Sequence, residues 1–347
     1  MSSVTVVVPA YNYARYLPGC VEAALAEEGL DVRVLVIDDC SSDDTPEVTA
    51  ELARDPRVSC LRHEANQGHV VTINEGLAAV TTDYTALVSA DDLLTPGALG
   101  RAVRVLEENS GVGFVYGRAL RFVSGRPLPS ARADGSRAVV VPGGQWVERV
   151  CRAARSPILS PEVVMRTSLS HEAGGYDPRL PHAGDLAMWL RLASRADVAW
   201  LPRADQAFYR VHDSNMHHSV FDGRRRLDQL IAAYDVFLEK EGPRLGGRES
   251  ARLDGLAKRA VARWCVRKAV TALDEGRREV DGMTVEELHE VAAGLTDLRR
   301  LPEYPALRLR LRLGARRCGR LRPLTSLLTL SYPRAWVRWH SRRLRPV

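Results

Sequence analysis

Five apolar runs of strand length alternate with amphipathic stretches across the first ~120 residues, and that alternation restricts the fold more than any other feature. Val4-Thr5-Val6-Val7-Val8 is followed by strand candidates at Val32–Ile37, Val58–Leu61, Thr85–Ser89 and Val112–Tyr116. Helical patterns lie between them at Tyr16–Glu28, Thr45–Arg54, Val70–Val80 and Pro96–Glu108. Near-continuous runs such as Val4–Val8 and Val34–Ile37 suit strands covered on both faces. The β-α-β order predicts an α/β fold, a Rossmann-like and mostly parallel sheet with helices on both faces. Ligands of such sheets sit beyond the carboxyl ends of the strands.

Polar clusters follow three of these strands directly. They are Pro9-Ala10-Tyr11-Asn12, Asp38-Asp39-Cys40-Ser41-Ser42-Asp43-Asp44 and Ala90-Asp91-Asp92. All three fall on one predicted edge of the sheet. Asp91-Asp92 has two readings. The pair can favour a helix start, with Thr95 as N-cap and Pro96 in the first turn. It can also hold a hard divalent cation, Mg²⁺ or Mn²⁺, which takes one or two carboxylates plus substrate phosphates. Carboxylates without a cation would repel a nucleotide, so an acidic site for an anionic substrate implies a bridging metal.

Residues 124–144 are rich in Gly, Pro, Ser and Arg and read as a mobile loop. A second α/β stretch runs to Arg210, and from Phe221 the pattern is helical, with breaks expected at Gly242-Pro243 and Gly246-Gly247. The predicted division is a catalytic domain over 1–218, split at 120 into a donor half and an acceptor half, and a helical, Arg-rich region over 219–347. Residues 1–100 hold 5 Arg against 16 Asp and Glu, a net charge of −11 within a chain of +6. The remainder is therefore +17, and residues 303–347 alone carry twelve Arg and one acidic residue. Leu307–Leu313 alternates Leu and Arg strictly, a strand-like pattern with helical flanks. This basic surface is a candidate for peripheral contact with anionic lipid or for a homodimer interface. The six cysteines form no Cys-x-x-Cys pair and are expected to be reduced. The sequence shows no signal peptide and no stretch of about 18 apolar residues, so a cytoplasmic protein is expected.

The segments Val6–Asn12, Val36–Thr45 and Ser89–Asp92 resemble, in order and spacing, the family 2 inverting glycosyltransferases of GT-A fold. Asn66-Gln67-Gly68, Asn74-Glu75-Gly76-Leu77, Gly174-Gly175-Tyr176-Asp177, Gly184–Leu190 and Tyr209-Arg210-Val211-His212 are similar too, so the resemblance covers about residues 3–215. It implies transfer of a sugar from a nucleoside-diphosphate donor, UDP or dTDP before GDP, to an acceptor hydroxyl. By this likeness Pro9, Ala10, Tyr11, Asn12, Gln67, Gly68, Asn74 and Ala90 line the donor pocket, Asp39 accepts the imide N–H of the base, and Asp91 holds the ribose or the metal. Asp92 binds Mn²⁺ or Mg²⁺, His212 completes the metal shell or faces the diphosphate, and Asp185 is the general base. Three departures stand out. Gly184 replaces the usual Glu before Asp185, Cys40 replaces the usual Gly, and Thr72-Ile73-Asn74 replaces Ala-Arg-Asn.

On local pattern alone Asp185 is equally a helix N-cap. Arg210 suits either a diphosphate or a carboxylate such as Asp185 or Asp213, and Trp189 either an acceptor sugar face or the core. A sugar-1-phosphate nucleotidyltransferase would carry a Gly-rich, Arg-containing loop after the first strand, unlike Pro9–Asn12. No Gly-x-Gly-x-x-Gly marks a dinucleotide oxidoreductase. A non-catalytic nucleic-acid binder fits the basic tail but not the acidic first hundred residues, so no nucleic-acid partner is expected.

Overall fold

The computed structural model describes residues 1–212 and 223–320. They fall into two compact units, one within 1–147 and 156–219, the other within 148–155 and 220–347.

The first unit is built on an eight-stranded sheet. Strands β1 (Ser3–Ala10), β2 (Asp31–Asp38), β3 (Val58–Arg62) and β4 (Tyr84–Leu87) pair in parallel in the order β3-β2-β1-β4. Helices α1 (Leu17–Leu25), α2 (Thr45–Leu52) and α3 (His69–Ala79) connect them. Val4, Val6, Val7 and Val8 are all fully buried, which is why β1 has no polar alternation. A two-residue strand β5 (Leu93–Leu94) precedes α4 (Ala98–Glu108), whose buried face is Leu99, Ala102, Val103 and Leu106 at helical spacing. The remaining strands are β6 (Val112–Tyr116), β7 (Ala119–Val123), β8 (Val139–Val141), β9 (Val163–Arg166), β10 (Asp197–Trp200) and β11 (Ala207–Val211). Antiparallel β9 enters between β4 and β6, and the sheet continues through β10 to β8. Strands β5, β11 and β7 form a separate three-stranded sheet. Helices α5 (Gly143–Ala153), α6 (Thr167–Ala173) and α7 (Gly184–Arg195) complete this part of the chain.

Gly76 sets how closely α3 approaches the sheet. A Cβ there would come within 2.4 Å of Val7 Cγ1 and 2.9 Å of Ile37 Cδ1, both in fully buried side chains. Gly76→Ala is therefore expected to destabilise the protein by about 1–3 kcal/mol through overpacking. Urea unfolding checks this, and an unchanged midpoint would show that α3 can slide outward.

Several expectations are corrected here. Thr95 does not cap a helix: Asp91-Asp92 runs into β5, and α4 starts after Gly97 in a left-handed conformation. Thr95 Oγ1 instead donates to Asp205 O at 2.5 Å. The stretch 124–144 is anchored, because Arg132 pairs with buried Asp205 at 2.7 Å and β8 joins the sheet antiparallel to β10.

The second unit contains α8 (Gly223–Leu245), α9 (Gly247–Asp274), a hairpin of β12 (Glu279–Val280) and β13 (Met283–Thr284), α10 (Val285–Leu295), α11 (Tyr304–Leu313) and α12 (Ala315–Arg320). Helix α8 runs through Gly242-Pro243, and the break falls at Gly246, φ 83°. Leu307–Leu313 is helical, contrary to its alternation. Leu307 and Arg310, three apart, are both buried, and Arg310 makes a paired salt bridge to Asp274 at 2.7 and 3.0 Å. The tail beyond residue 320, with six of the twelve arginines of the expected lipid or dimer surface, lies outside the described residues. Among the described residues no helix is long and apolar enough to cross a membrane. All six cysteines are free thiols.

Candidate active site

Adjacent parallel strands β2, β1 and β4 end on one edge, so the loops after Ala10, Asp38 and Leu87 meet there. Asn12 ties the first two loops together. It takes a positive φ of 59°, its Oδ1 accepts from Ser42 N at 2.8 Å, and its N–H donates to Ser41 Oγ at 2.9 Å. Pro9 and Ala10 pair in register with Ile37 and Asp38, and Tyr11 projects half-exposed. Cys40 keeps the left-handed φ of 60° that a glycine would adopt without strain, so this turn carries the strained conformation.

The Asp39 carboxylate is buried. It accepts from Gln67 N at 2.8 Å and Gly68 N at 2.9 Å, and Oδ1 lies 2.7 Å from His63 Nδ1. The other ring nitrogen of His63 meets Glu75 Oε2 at 2.7 Å. Burial opposes charge on Asp39, but these hydrogen bonds outweigh it and hold its carboxyl below the usual range. Gln67 and Gly68 thus reach the site by supporting Asp39 through their backbone. His63 was not singled out in the sequence, because its meaning depends on Glu75 lying across from it on α3.

Asp91 and Asp92 stand beside the end of β11. Strand β5 pairs with Ala207–Phe208, which carries Arg210 and His212 alongside the acidic pair. His212 Nε2 lies 2.9 Å from Asp91 Oδ2. Arg210 N donates to Asp92 Oδ1 at 2.8 Å, and its Nε donates to the Asp91 carbonyl at 2.6 Å. The Arg210 guanidinium lies 4.5 Å from the centres of both the Tyr16 and Phe122 rings. Of its two expected carboxylate partners, Asp213 lies outside the described residues, as do His217 and His218. Ala90 is fully buried behind the pair. Burial, then the charge of Asp91, pushes the Asp92 carboxyl well above its ordinary range, against a smaller opposing effect of Arg210. Tyr209 is pushed up to about 12 by burial and then by Asp92, Asp91 and Asp185. That side chain therefore feels the acidic pair and Asp185 together.

Asp185 lies half-buried in the first turn of α7, whose N-cap is Ala183, so the N-cap reading is corrected. Gly184 is required by Tyr176: a Cβ would meet the ring at 2.8 Å. Tyr176 is buried, and burial, then Asp185, raises its phenol. Burial lowers His69, against a hydrogen bond to the Pro181 carbonyl and the charge of Asp185.

Two further expectations change. Trp189 is fully buried against Phe114, ring centres 5.9 Å apart, and cannot stack on an acceptor. Asn74, expected in the donor pocket, clamps Tyr176: Oδ1 accepts from Tyr176 N at 2.6 Å and Nδ2 donates to Tyr176 O at 2.9 Å. Among the described residues no three His, Cys, Asp or Glu side chains form a ready-made cation site. The paired carboxylates still suit a hard cation that takes its other ligands from phosphate.

An open α/β sheet with acidic loops at its carboxyl edge and a helical C-terminal region is the GT-A class of fold. The crystal structure of S. aureus TarS 1–349 in complex with UDP-GlcNAc superposes with a TM-score of 0.63 over 95% of this chain and 92% of that one, at 18% identity. The mannosyltransferase PcManGT from Pyrobaculum calidifontis, in complex with GDP-Man and Mn²⁺, gives a TM-score of 0.51 over 92% of this chain and 86% of that one, at 18% identity. Residues 5–165 match the glycosyl transferase family 2 model. The succinoglycan biosynthesis protein ExoO of Rhizobium meliloti (strain 1021) is 36% identical over 129 residues, 35% of this chain and 37% of that protein. The chain spans 35% to 64% of the length of the first three curated relatives it matches.

Proposed function

We propose that this chain transfers a glycosyl group from a nucleoside-diphosphate sugar to an acceptor hydroxyl with inversion, at the edge formed by the loops after β1, β2 and β4. The observation that supports this reading is the buried Asp91/Asp92 pair at the carboxyl edge of the sheet, hydrogen-bonded to Arg210 and His212, together with Asp185 in the first turn of α7. Direct displacement needs those two functions on opposite sides of an anomeric carbon.

In this reading residues 1–120 hold the donor and 121–218 supply the base and acceptor groove. Asp39, which retains acceptor capacity, takes the imide N–H of uracil or thymine, and exposed Tyr11 packs on the base. Asp91 and Asp92 would hold Mn²⁺ or Mg²⁺, with His212, 2.9 Å from Asp91, facing the diphosphate. When bound, the ion neutralises charge on the departing diphosphate. Asp92 is suited to this, since burial beside Asp91 leaves its negative charge poorly compensated within the protein. Asp185 removes the proton from the acceptor hydroxyl as that oxygen attacks. Arg210, held by Asp91 and by two rings, orients the acidic loop and is assigned to the diphosphate. Complexes of similarly folded proteins with UDP-GlcNAc and with GDP-Man and Mn²⁺ support this class of donor.

A thermal-shift series with UDP, dTDP and GDP, each with and without Mn²⁺, tests the reading. Stabilisation by UDP or dTDP that requires the metal is expected, of about 3 kcal/mol at a hundredfold excess over Kd. No response to any nucleotide would overturn it.

A further inference from the structure

His63 follows β3 almost wholly buried, yet it takes part in no step of the transfer proposed above. Both its ring nitrogens lie 2.7 Å from carboxylate oxygens, Asp39 on one side and Glu75 on the other. An ionised carboxylate only accepts, so the ring bridges two ionised carboxylates only when both nitrogens donate, that is, as an imidazolium. A carboxylate offers about four lone-pair directions. On Asp39, His63 and Gln67 fill those of Oδ1, and Gly68 fills one of Oδ2.

We propose that His63 is a positioning residue for the donor base: bridged between Asp39 and Glu75, it locks the Asp39 carboxylate so that one acceptor direction stays open. That single direction matches the one N–H on the pairing edge of uracil or thymine. Guanine presents two adjacent donors to a carboxylate and is matched less well. The inference rests on the nucleotide-sugar reading and refines it.

The bridge also makes donor binding depend on pH. The charged groups facing the ring are Asp39, from the loop after β2, and Glu75, from α3; neighbouring Arg62 turns to Asp38 at 3.1 Å. Burial lowers the His63 pKa, but the hydrogen bonds to Asp39 and Glu75 outweigh it and hold it above the ordinary histidine range. Above that raised pKa a neutral ring can donate to only one carboxylate. The other loses its partner, and the pocket gains negative charge against an anionic donor.

The test is isothermal titration of UDP-GlcNAc and GDP-mannose at fixed Mg²⁺, from about pH 6 to about pH 9. The parent is expected to bind UDP-GlcNAc more tightly than GDP-mannose and to lose about 3–10-fold in affinity for it as His63 deprotonates. His63→Gln should bind about 3–10-fold more weakly at the acid end with a flat profile, and kcat at saturating donor should stay within about twofold. Glu75→Gln should move the midpoint to lower pH, a change that a merely structural role would not produce. A flat parent profile, a His63→Gln profile that follows the parent's, or tighter binding of GDP-mannose would overturn the inference while leaving sugar transfer intact. If the parent binds neither donor at any pH, the nucleotide-sugar reading fails and takes the inference with it.

Discussion

Asp185→Asn is expected to lower kcat by about 10²–10⁴-fold, the range that one general base contributes, or roughly 3–5 kcal/mol of transition-state stabilisation. Donor affinity should stay within about twofold of the parent, because Asp185 is assigned to the acceptor. The substitution is nearly isosteric, at a half-buried position in the first turn of α7, so the fold should persist. Single-turnover assays with donor titration separate the two effects. Near-parental turnover would remove Asp185 from the mechanism, and a matching loss of donor affinity would move it to the donor side. Failure of this prediction leaves the Asp91/Asp92 assignment standing.

Asp92→Asn couples a functional loss to a gain in stability. Asp92 is nearly fully buried, and its carboxyl is raised by burial and then by Asp91. A carboxyl whose folded pKa lies above its unfolded value favours folding below the unfolded pKa, and this contribution is lost as pH rises through the folded pKa. At neutral pH, without metal, Asp92 therefore costs stability. An Asn keeps the acceptor for Arg210 N and removes the charge. The metal-free variant should gain on the order of 1 kcal/mol, about 2–4 °C in Tm. It should also lose the metal-dependent part of donor binding, with kcat/KM down about 10²-fold or more. Melting curves with and without Mn²⁺ and UDP read both effects at once. A variant that is less stable without metal, or that still shows metal-enhanced UDP binding, would contradict the assignment.

The sequence made the donor side of the sheet legible for a simple reason. Strand runs buried on both faces, and the loops directly after them, are contiguous segments, so Val4–Val8 with Pro9–Asn12, Val34–Ile37 with Asp38–Asp39, and Asp91-Asp92 announce themselves locally. Residues defined by a partner far along the chain were not legible. Trp189 has the same sequence appearance on a sugar-binding face as in a core, and only its contact with Phe114 decides. Asn74 sits in a donor-like motif but is committed to Tyr176, 102 positions away. Leu307–Leu313 alternates like a strand, yet a buried Arg310–Asp274 pair 36 residues apart makes a helix the better solution.

By itself the sequence determined the parallel α/β half, its resemblance to a known family and the acidic residues at the carboxyl edge. The tertiary structure decided the surroundings of those residues. It placed Asp92 in a buried position beside Asp91 and tied the pair to Arg210 and His212. It also turned His63, one histidine among nine, into a bridge between two carboxylates. Charge type is written in the sequence, whereas desolvation and the distances between charges, which govern their chemistry, exist only once the chain has folded.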